Sequence, residues 1–292
     1  MEASASVPLV SQHPSDGMIH LNGGKPARTQ GVSGRGPLPS APPSFFFLTS
    51  FFAKPFKAVA RAEVMDHANG TKALTKTTCV VFDCDGVLVD AVSSWRTLHD
   101  HFGTDNSENL QRFIRGELSD VEFMRLDIIK WKSIEDPIYR DDLFRAYAGV
   151  QLMDGARELV QKLQDQGIFV AIVSAGVDLF VASIAAMLKV DDWIANGFEF
   201  NEDDTLADEG ICRLHATGKG EIILRLLEMN GLEAAGCVSV GDSEMDLSMH
   251  IDGGHFIGFN PSRASSKEAF EEAGVPVVMG KDLLAIAPYL GI

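Results

Sequence analysis

From residue 77 onward, two hydrophobic rhythms take turns along the chain. Residues 78–88 are β-branched and apolar at successive positions, with no polar alternation, which predicts a strand buried on both faces in a parallel sheet. Similar runs at 168–174, 237–240, 255–259 and 275–279 predict four more strands. Between them, residues 154–166, 178–188, 220–230, 245–251, 263–273 and 281–290 carry the 3.6-residue spacing of helices. Strands alternating with helices of this length imply βαβ units, hence an α/β fold with a doubly wound parallel sheet. Ligands of such sheets bind beyond the carboxyl ends of the strands.

Residues 91–153 break the alternation and read as helices only. A helix over 94–102 places Trp95, Leu98 and Phe102 on one face, and a second is expected over 109–115. A third, over 119–131, opens on a Ser119/Glu122 capping box. A fourth is expected over 137–148, with Asp136 as its cap and Pro137 in its first turn. An all-helical insertion of this size after the first strand predicts a small separate lobe, a cap over the sheet. Residues 1–76 have neither rhythm. They hold eight of the twelve prolines together with Ser/Gly-rich stretches, and a disordered N-terminal extension is expected there, with the folded domain over 77–292. Within the extension, Phe45, Phe46, Phe47, Phe51, Phe52 and Phe56 form a cluster beside Lys54, Lys57 and Arg61, open to reading as a targeting or interfacial segment or as extension upstream of Met65.

Charge sharpens the division. The 292 residues carry a net −16, and because residues 1–76 hold eight basic against four acidic residues, the remainder is more acidic still. An acidic body argues against nucleic acid as a partner, since phosphate backbones are bound by basic surfaces. The longest apolar stretch of the extension, residues 45–53, is about half the roughly 20 residues a membrane-spanning helix needs. Cys79, Cys84, Cys212 and Cys237 stand at no metal-ligand spacing, and three of them lie in or beside buried strands, which fits a reducing, cytoplasmic setting.

Candidate chemistry gathers at predicted strand ends. In VVFDCDGVLVD, residues 80–90, Asp83 and Asp85 stand two apart and would repel on one face of an ideal strand. A cation, or a change of backbone direction at Gly86, relieves this. In VSVGDSEMD, residues 238–246, a second strand ends at Gly241 and Asp242, with Asp246 four residues on. If the two strands are parallel neighbours, these four carboxylates meet at one sheet edge, where oxygen ligands with open positions suit Mg²⁺. Ser174, Ala175 and Gly176 close a third strand just before a helix, a place for a hydroxyl and backbone N–H groups to hold an anion. Lys219 opens the helix over 220–230, where the macrodipole disfavours a cation unless an anion accompanies it.

Taken in order, Asp-x-Asp-Gly, Ser, Lys and Gly-Asp-Ser-x-x-Asp resemble the four motifs of the haloacid dehalogenase superfamily of phosphohydrolases. The stretches SAGVDLFVASIAAML, GKGEIILRLLEMNG and VSVGDSEMDLSMH are similar to phosphoserine phosphatases. The resemblance implies a Rossmann-like core with a helical cap inserted at 91–153. It implies that Asp83 is the nucleophile, forming an aspartyl-phosphate, and that Asp85 is the general acid and base. It also implies that Asp83, the Asp85 carbonyl, Asp242 and Asp246 form the Mg²⁺ site or its support, while Ser174, Ala175, Gly176 and Lys219 hold the phosphoryl group. Trp95 and Arg125, with Ser93, Arg112 and Arg115, are the cap candidates for substrate contact. The implied substrate is a small phosphorylated metabolite, with phosphoserine leading. A sugar or polyol phosphate, a phosphotransfer reaction, and a non-catalytic phospho-ligand binder remain open at this point. The chain departs from phosphoserine phosphatases in having Val92, Ser93 and Trp95 where they carry a glutamate.

Overall fold

The computed structural model describes residues 76–292. The expectations for the extension, its phenylalanine cluster included, lie outside the described residues except at Lys76. The elements run β1 (Cys79–Phe82), α1 (Ser94–Phe102), α2 (Ser107–Ile114), α3 (Asp120–Lys132), α4 (Arg140–Ala146), α5 (Ala156–Asp165), β2 (Phe169–Val177), α6 (Asp178–Leu188), β3 (Asp192–Phe200), β4 (Leu206–Ile211), α7 (Lys219–Asn230), β5 (Cys237–Gly241), β6 (His255–Phe259), α8 (Ala264–Glu272), β7 (Val277–Val278) and α9 (Ala287–Leu290). The strands form one sheet in the order β4-β3-β2-β1-β5-β6-β7. Every pairing is parallel except β3 with β4.

The strand period of two sorts β1 between two apolar layers. Val80 and Phe82 point into the cluster that holds Leu159 and Leu163 of α5 and Phe180 and Ile184 of α6. Cys79 and Val81 point the other way, toward Ile223, Leu226 and Leu227 of α7 and Phe270 of α8. All four β1 residues are fully buried, as their unbroken apolar run requires. The helices between β1 and α5 do not make a core of their own. Leu98, Phe102, Ile128, Trp131, Ile138 and Leu143 belong to the same cluster as Val177, Phe198 and Leu206 of the sheet side.

Several elements differ from their sequence expectations. The run at 78–88 is a strand only as far as Phe82, after which Val87, Leu88 and Val89 all direct their N–H groups at the Cys84 carbonyl in a tight turn. The helix expected from Pro137 starts at Arg140. Tyr139 is extended, forms a bridge to Thr205, and has its N–H bonded to Asp142 Oδ2 at 2.9 Å, so Asp136 is not the cap. Residues Glu244–Met249 form a 3₁₀ segment in place of the α-helix expected over 245–251, and the expected C-terminal helix divides into a 3₁₀ turn at Leu283–Ile286 and α9. The strand at 275–279 shrinks to two residues.

Strands β3 and β4 carry polar and glycine residues that hide them from an apolar pattern. Inside β3 the buried Asn196 accepts from the N–H groups of Arg213 and Leu214 and donates to the Leu214 carbonyl. β4 is the acidic edge strand, and ion pairs tie it to α3: Arg125 with Glu209 at 3.2 Å, and Lys132 with Asp208 at 2.5 Å.

Candidate active site

Strands β2, β1 and β5 lie side by side, with Phe82 level with Ile172 and with Val240. Asp83 is the first residue past β1, Ser174 lies two residues beyond Ile172, and Asp242 two beyond Val240. The parallel register therefore brings all three to one carboxyl edge, and the Asp83 N–H donates to the Val240 carbonyl at 2.9 Å. Gly86 turns the chain in the left-handed region, φ 74°, and a Cβ built there would stand 2.5 Å from Asp242 Oδ2. Only glycine lets this turn approach the second acidic loop.

Lys219, 3% exposed, is the first residue of α7, and its Nζ lies 2.9 Å from Asp83 Oδ1 and 2.6 Å from Asp246 Oδ1. Burial alone would lower the Lys219 pKa, but the two carboxylates outweigh it and hold the ammonium charged. They also answer the unfavourable helix dipole at that position. The other Asp246 oxygen accepts from the N–H groups of Asp242 and Ser243 and from Ser243 Oγ, at 3.2, 3.0 and 2.8 Å. Asp246 thus has both oxygens engaged in positioning Lys219 and the loop after β5.

Asp83, Asp242 and Asp246 can each bring a carboxylate oxygen within 4.8 Å of the others. Burial, with the Asp246 and Asp85 charges adding and Lys219 opposing, pushes Asp83 up to about 7. Burial followed by Asp246 and Asp83 pushes Asp242 up to about 8. Asp83 Oδ1 is buried and has no hydrogen bond beyond its ion pair with Lys219. With Asp246 already engaged, Asp83 and Asp242 are the crowded hard oxygen donors with spare capacity, and they fit a small divalent cation such as Mg²⁺.

Asp85 is wired differently. Its Oδ2 accepts from both the N–H and the hydroxyl of Ser94, each at 2.7 Å, while the buried Oδ1 has no hydrogen-bond partner. Burial raises its pKa against the lowering effect of those two bonds. The Ser94 hydroxyl in turn accepts from Val177 N at 3.0 Å, which joins the start of α1 to the end of β2. A Cβ on Gly176 would stand 2.7 Å from Ser94 Oγ and 2.9 Å from Asp85 Oδ2, so this strand end also has to be bare.

Ser174 is 1% exposed, and its Oγ accepts from Gly176 N at 3.1 Å. The Gly176 N–H, expected to face an anion, is thus bonded within its own loop. Trp95 donates its indole N–H to the Ala175 carbonyl at 3.0 Å and stacks on the buried Trp131, with centroids 5.9 Å apart. Trp131 is itself held by His99 Nδ1 at 3.1 Å, and His99 Nε2 lies 3.2 Å from Asp127 Oδ1 in a fully buried pair. A cleft of about 170 Å³ is lined by Asp83, Asp85, Trp95, Ser174, Lys219 and Asp242 among others, with Trp131, His99 and Asp127 buried behind Trp95.

A family model for haloacid dehalogenase-like hydrolases matches residues 80–250. The chain belongs to this family. Among curated relatives, phosphoserine phosphatase of Archaeoglobus fulgidus is 28% identical over 215 residues, covering 72% of this hydrolase and 59% of the relative. Phosphoserine phosphatase of Halobacterium salinarum is 30% identical over 188 residues, covering 63% of this chain and 86% of the relative. The hydrolase thus spans less than two thirds of the length of the first of these. A solved substrate-bound phosphoserine phosphatase complex aligns with TM-score 0.62 at 23% identity, over 74% of this chain and 99% of that one, and shows the fold.

Of the residues singled out in the hydrolase's sequence, Arg125 is not brought to the cleft. Its guanidinium pairs with Glu209, and it borders a separate surface hollow with Lys132 and Asp208. Arg112 and Arg115 both pair with Glu117 on the surface, and Ser93 caps α1 through Arg96 N. Ser94 was missed by sequence reasoning. One signal was available, a hydroxyl residue at the start of a helix soon after the first acidic motif, but Ser93 competes with it for the cap.

Proposed function

We propose that this hydrolase is a Mg²⁺-dependent phosphomonoesterase that works through an aspartyl-phosphate on Asp83. The contrast between the two carboxylates after β1 supports this most directly. Asp83 sits among cation-binding oxygens and Lys219, whereas Asp85 is held through one oxygen with the other unpartnered. One is placed to attack and the other to exchange a proton. Asp83 and Asp242, with the Asp85 carbonyl, would hold the cation. Bound there, Mg²⁺ offsets the repulsion between carboxylate and phosphate and favours ionised Asp83.

An Asp83 oxygen forms the bond to phosphorus while the ester P–O bond breaks, and Asp85 Oδ1 gives its proton to the departing alkoxide. Asp85 then takes a proton from water as that water attacks phosphorus, the bond to Asp83 breaks, and inorganic phosphate leaves. Lys219 and the Ser174 hydroxyl neutralise and orient the phosphoryl oxygens. The helices over residues 91–153 act as a cap on the cleft. Phosphoserine, named for the relatives, is the reference substrate among small phosphorylated metabolites, and the free cysteines of the described residues support a cytoplasmic setting.

Phosphate release from a panel of monoesters, with Mg²⁺ and with EDTA, tests this. Asp83→Asn should lower turnover by at least about 10³-fold, since the amide keeps the shape and loses the nucleophile. Residual activity within about tenfold of the parent, or full activity in EDTA, overturns the reading.

A further inference from the structure

The helical segment and the loop before it line the cleft with Val92, Trp95, Leu110, Phe113, Phe123 and Met124, and Ser93, whose hydroxyl accepts from Arg96 N, is the one uncharged polar residue among them. Phe113 and Phe123 stack at 4.8 Å with their planes 6° apart. Trp95 has committed its only polar atom to the Ala175 carbonyl, so it offers the cleft ring surface alone. At the mouth, Val92 is 72% exposed, an apolar side chain still in water.

Charge on this side is already spent. Asp120 is the one ionisable residue that the helical segment contributes to the cleft lining, and its two oxygens accept from Ala216 N at 3.0 Å and face His215 Nδ1 at 2.9 Å. Of the two lining cations, Lys219 is clasped by Asp83 and Asp246, and Arg263, which lies just before α8 and outside the helical segment, pairs with Glu244 at 3.4 Å. A substrate ammonium or carboxylate placed against the six apolar residues would lose water without gaining a partner. An apolar group placed there leaves water at a profit of about fourfold in affinity per methylene.

We propose that this wall is a subsite for an uncharged hydrophobic alcohol, so that the preferred substrates are phosphate monoesters of small apolar alcohols and not of an amino acid. The inference rests on the phosphomonoesterase reading and deepens it. The cleft, about 170 Å³ and open to solvent at Val92, is smaller than the roughly 300 Å³ where drug-sized pockets begin, which suits a small alcohol.

The test is kcat/KM with Mg²⁺ for methyl, ethyl, propyl and isopentyl phosphate beside phosphoserine. Leaving-group basicity is nearly constant along the alkyl series, and the serine ammonium makes phosphoserine the intrinsically easier ester, so chemistry alone biases against the proposal. The expected result is a rise of about fourfold per carbon, with isopentyl phosphate at least about tenfold above phosphoserine. In Phe113→Ser and Phe123→Ser the series should flatten. Phosphoserine equal to or faster than isopentyl phosphate, or a flat series in the unmutated enzyme, overturns the subsite while leaving the phosphomonoesterase reading intact. Hydrolysis of none of the esters overturns that reading itself.

Discussion

Ser94 donates twice to the same oxygen of Asp85, through its N–H and its hydroxyl, at 2.7 Å each. Because the hydroxyl also accepts from Val177 N, one serine fixes the proposed acid and closes the gap between α1 and β2. The two hydrogen bonds to Oδ2 leave Oδ1 as the unpartnered oxygen, the one the proposed proton exchange would use.

Ser94→Ala should therefore lower kcat by about tenfold, the worth of one hydrogen bond to a charged group. Both Ser94 bonds lower the Asp85 pKa against burial, so loss of the hydroxyl raises it further. The alkaline limb of the pH–rate profile, where the acid loses its proton, should move to higher pH. An unshifted profile with reduced stability would make Ser94 purely structural.

In metal-free protein, Asp83 and Asp242 bind protons up to about pH 7 and 8 when folded but release them near pH 4 when unfolded. The folded state then holds more protons than the unfolded state across that interval, and stability falls as pH rises through it. With EDTA, the Tm should be lower at pH 9 than at pH 6. Mg²⁺ binds the ionised carboxylates, so its stabilising effect should be larger at pH 9. A Tm increment from Mg²⁺ that does not grow with pH would remove these carboxylates from the metal site.

Gly86→Ala should cost about 1–2 kcal/mol from the left-handed backbone alone. The new methyl also displaces the Asp242 carboxylate. The Mg²⁺ concentration for half-maximal activity should rise together with the loss of Tm. An unchanged Mg²⁺ requirement would show that Asp242 has room to yield.

Arg125→Ala removes a half-exposed ion pair with Glu209 and should change stability by less than about 1 kcal/mol. The KM for phosphoserine should stay within twofold of the parent, measured beside p-nitrophenyl phosphate, as roughly expected of a residue outside the cleft. A selective rise for phosphoserine would bring Arg125 back as a substrate contact.

The sequence by itself determined the parallel α/β architecture, because an unbroken apolar run such as residues 79–82 has no stable place except between two helical layers. It also placed Asp83, Asp85, Ser174 and Asp242 as candidates, since polar residues at the ends of such runs emerge at one edge of the sheet, and Lys219 because a cation opening a helix calls for an anion. Elements held by polar bonds were not legible: β3 owes its place partly to Asn196 clasping the chain at Arg213 and Leu214, and β4 to hairpin pairing and ion pairs with α3. Nor could sequence spacing divide the acidic residues by task. Only tertiary structure engages both oxygens of Asp246 with Lys219 and the loop after β5, turns Asp85 toward Ser94, and draws Arg125 away to Glu209. Each of those choices depends on which partner stands within about 3 Å once the chain has turned, whether a few residues away, as Ser243 is from Asp246, or far along it, as Glu209 is from Arg125, whereas hydrophobic periodicity is written into the chain itself.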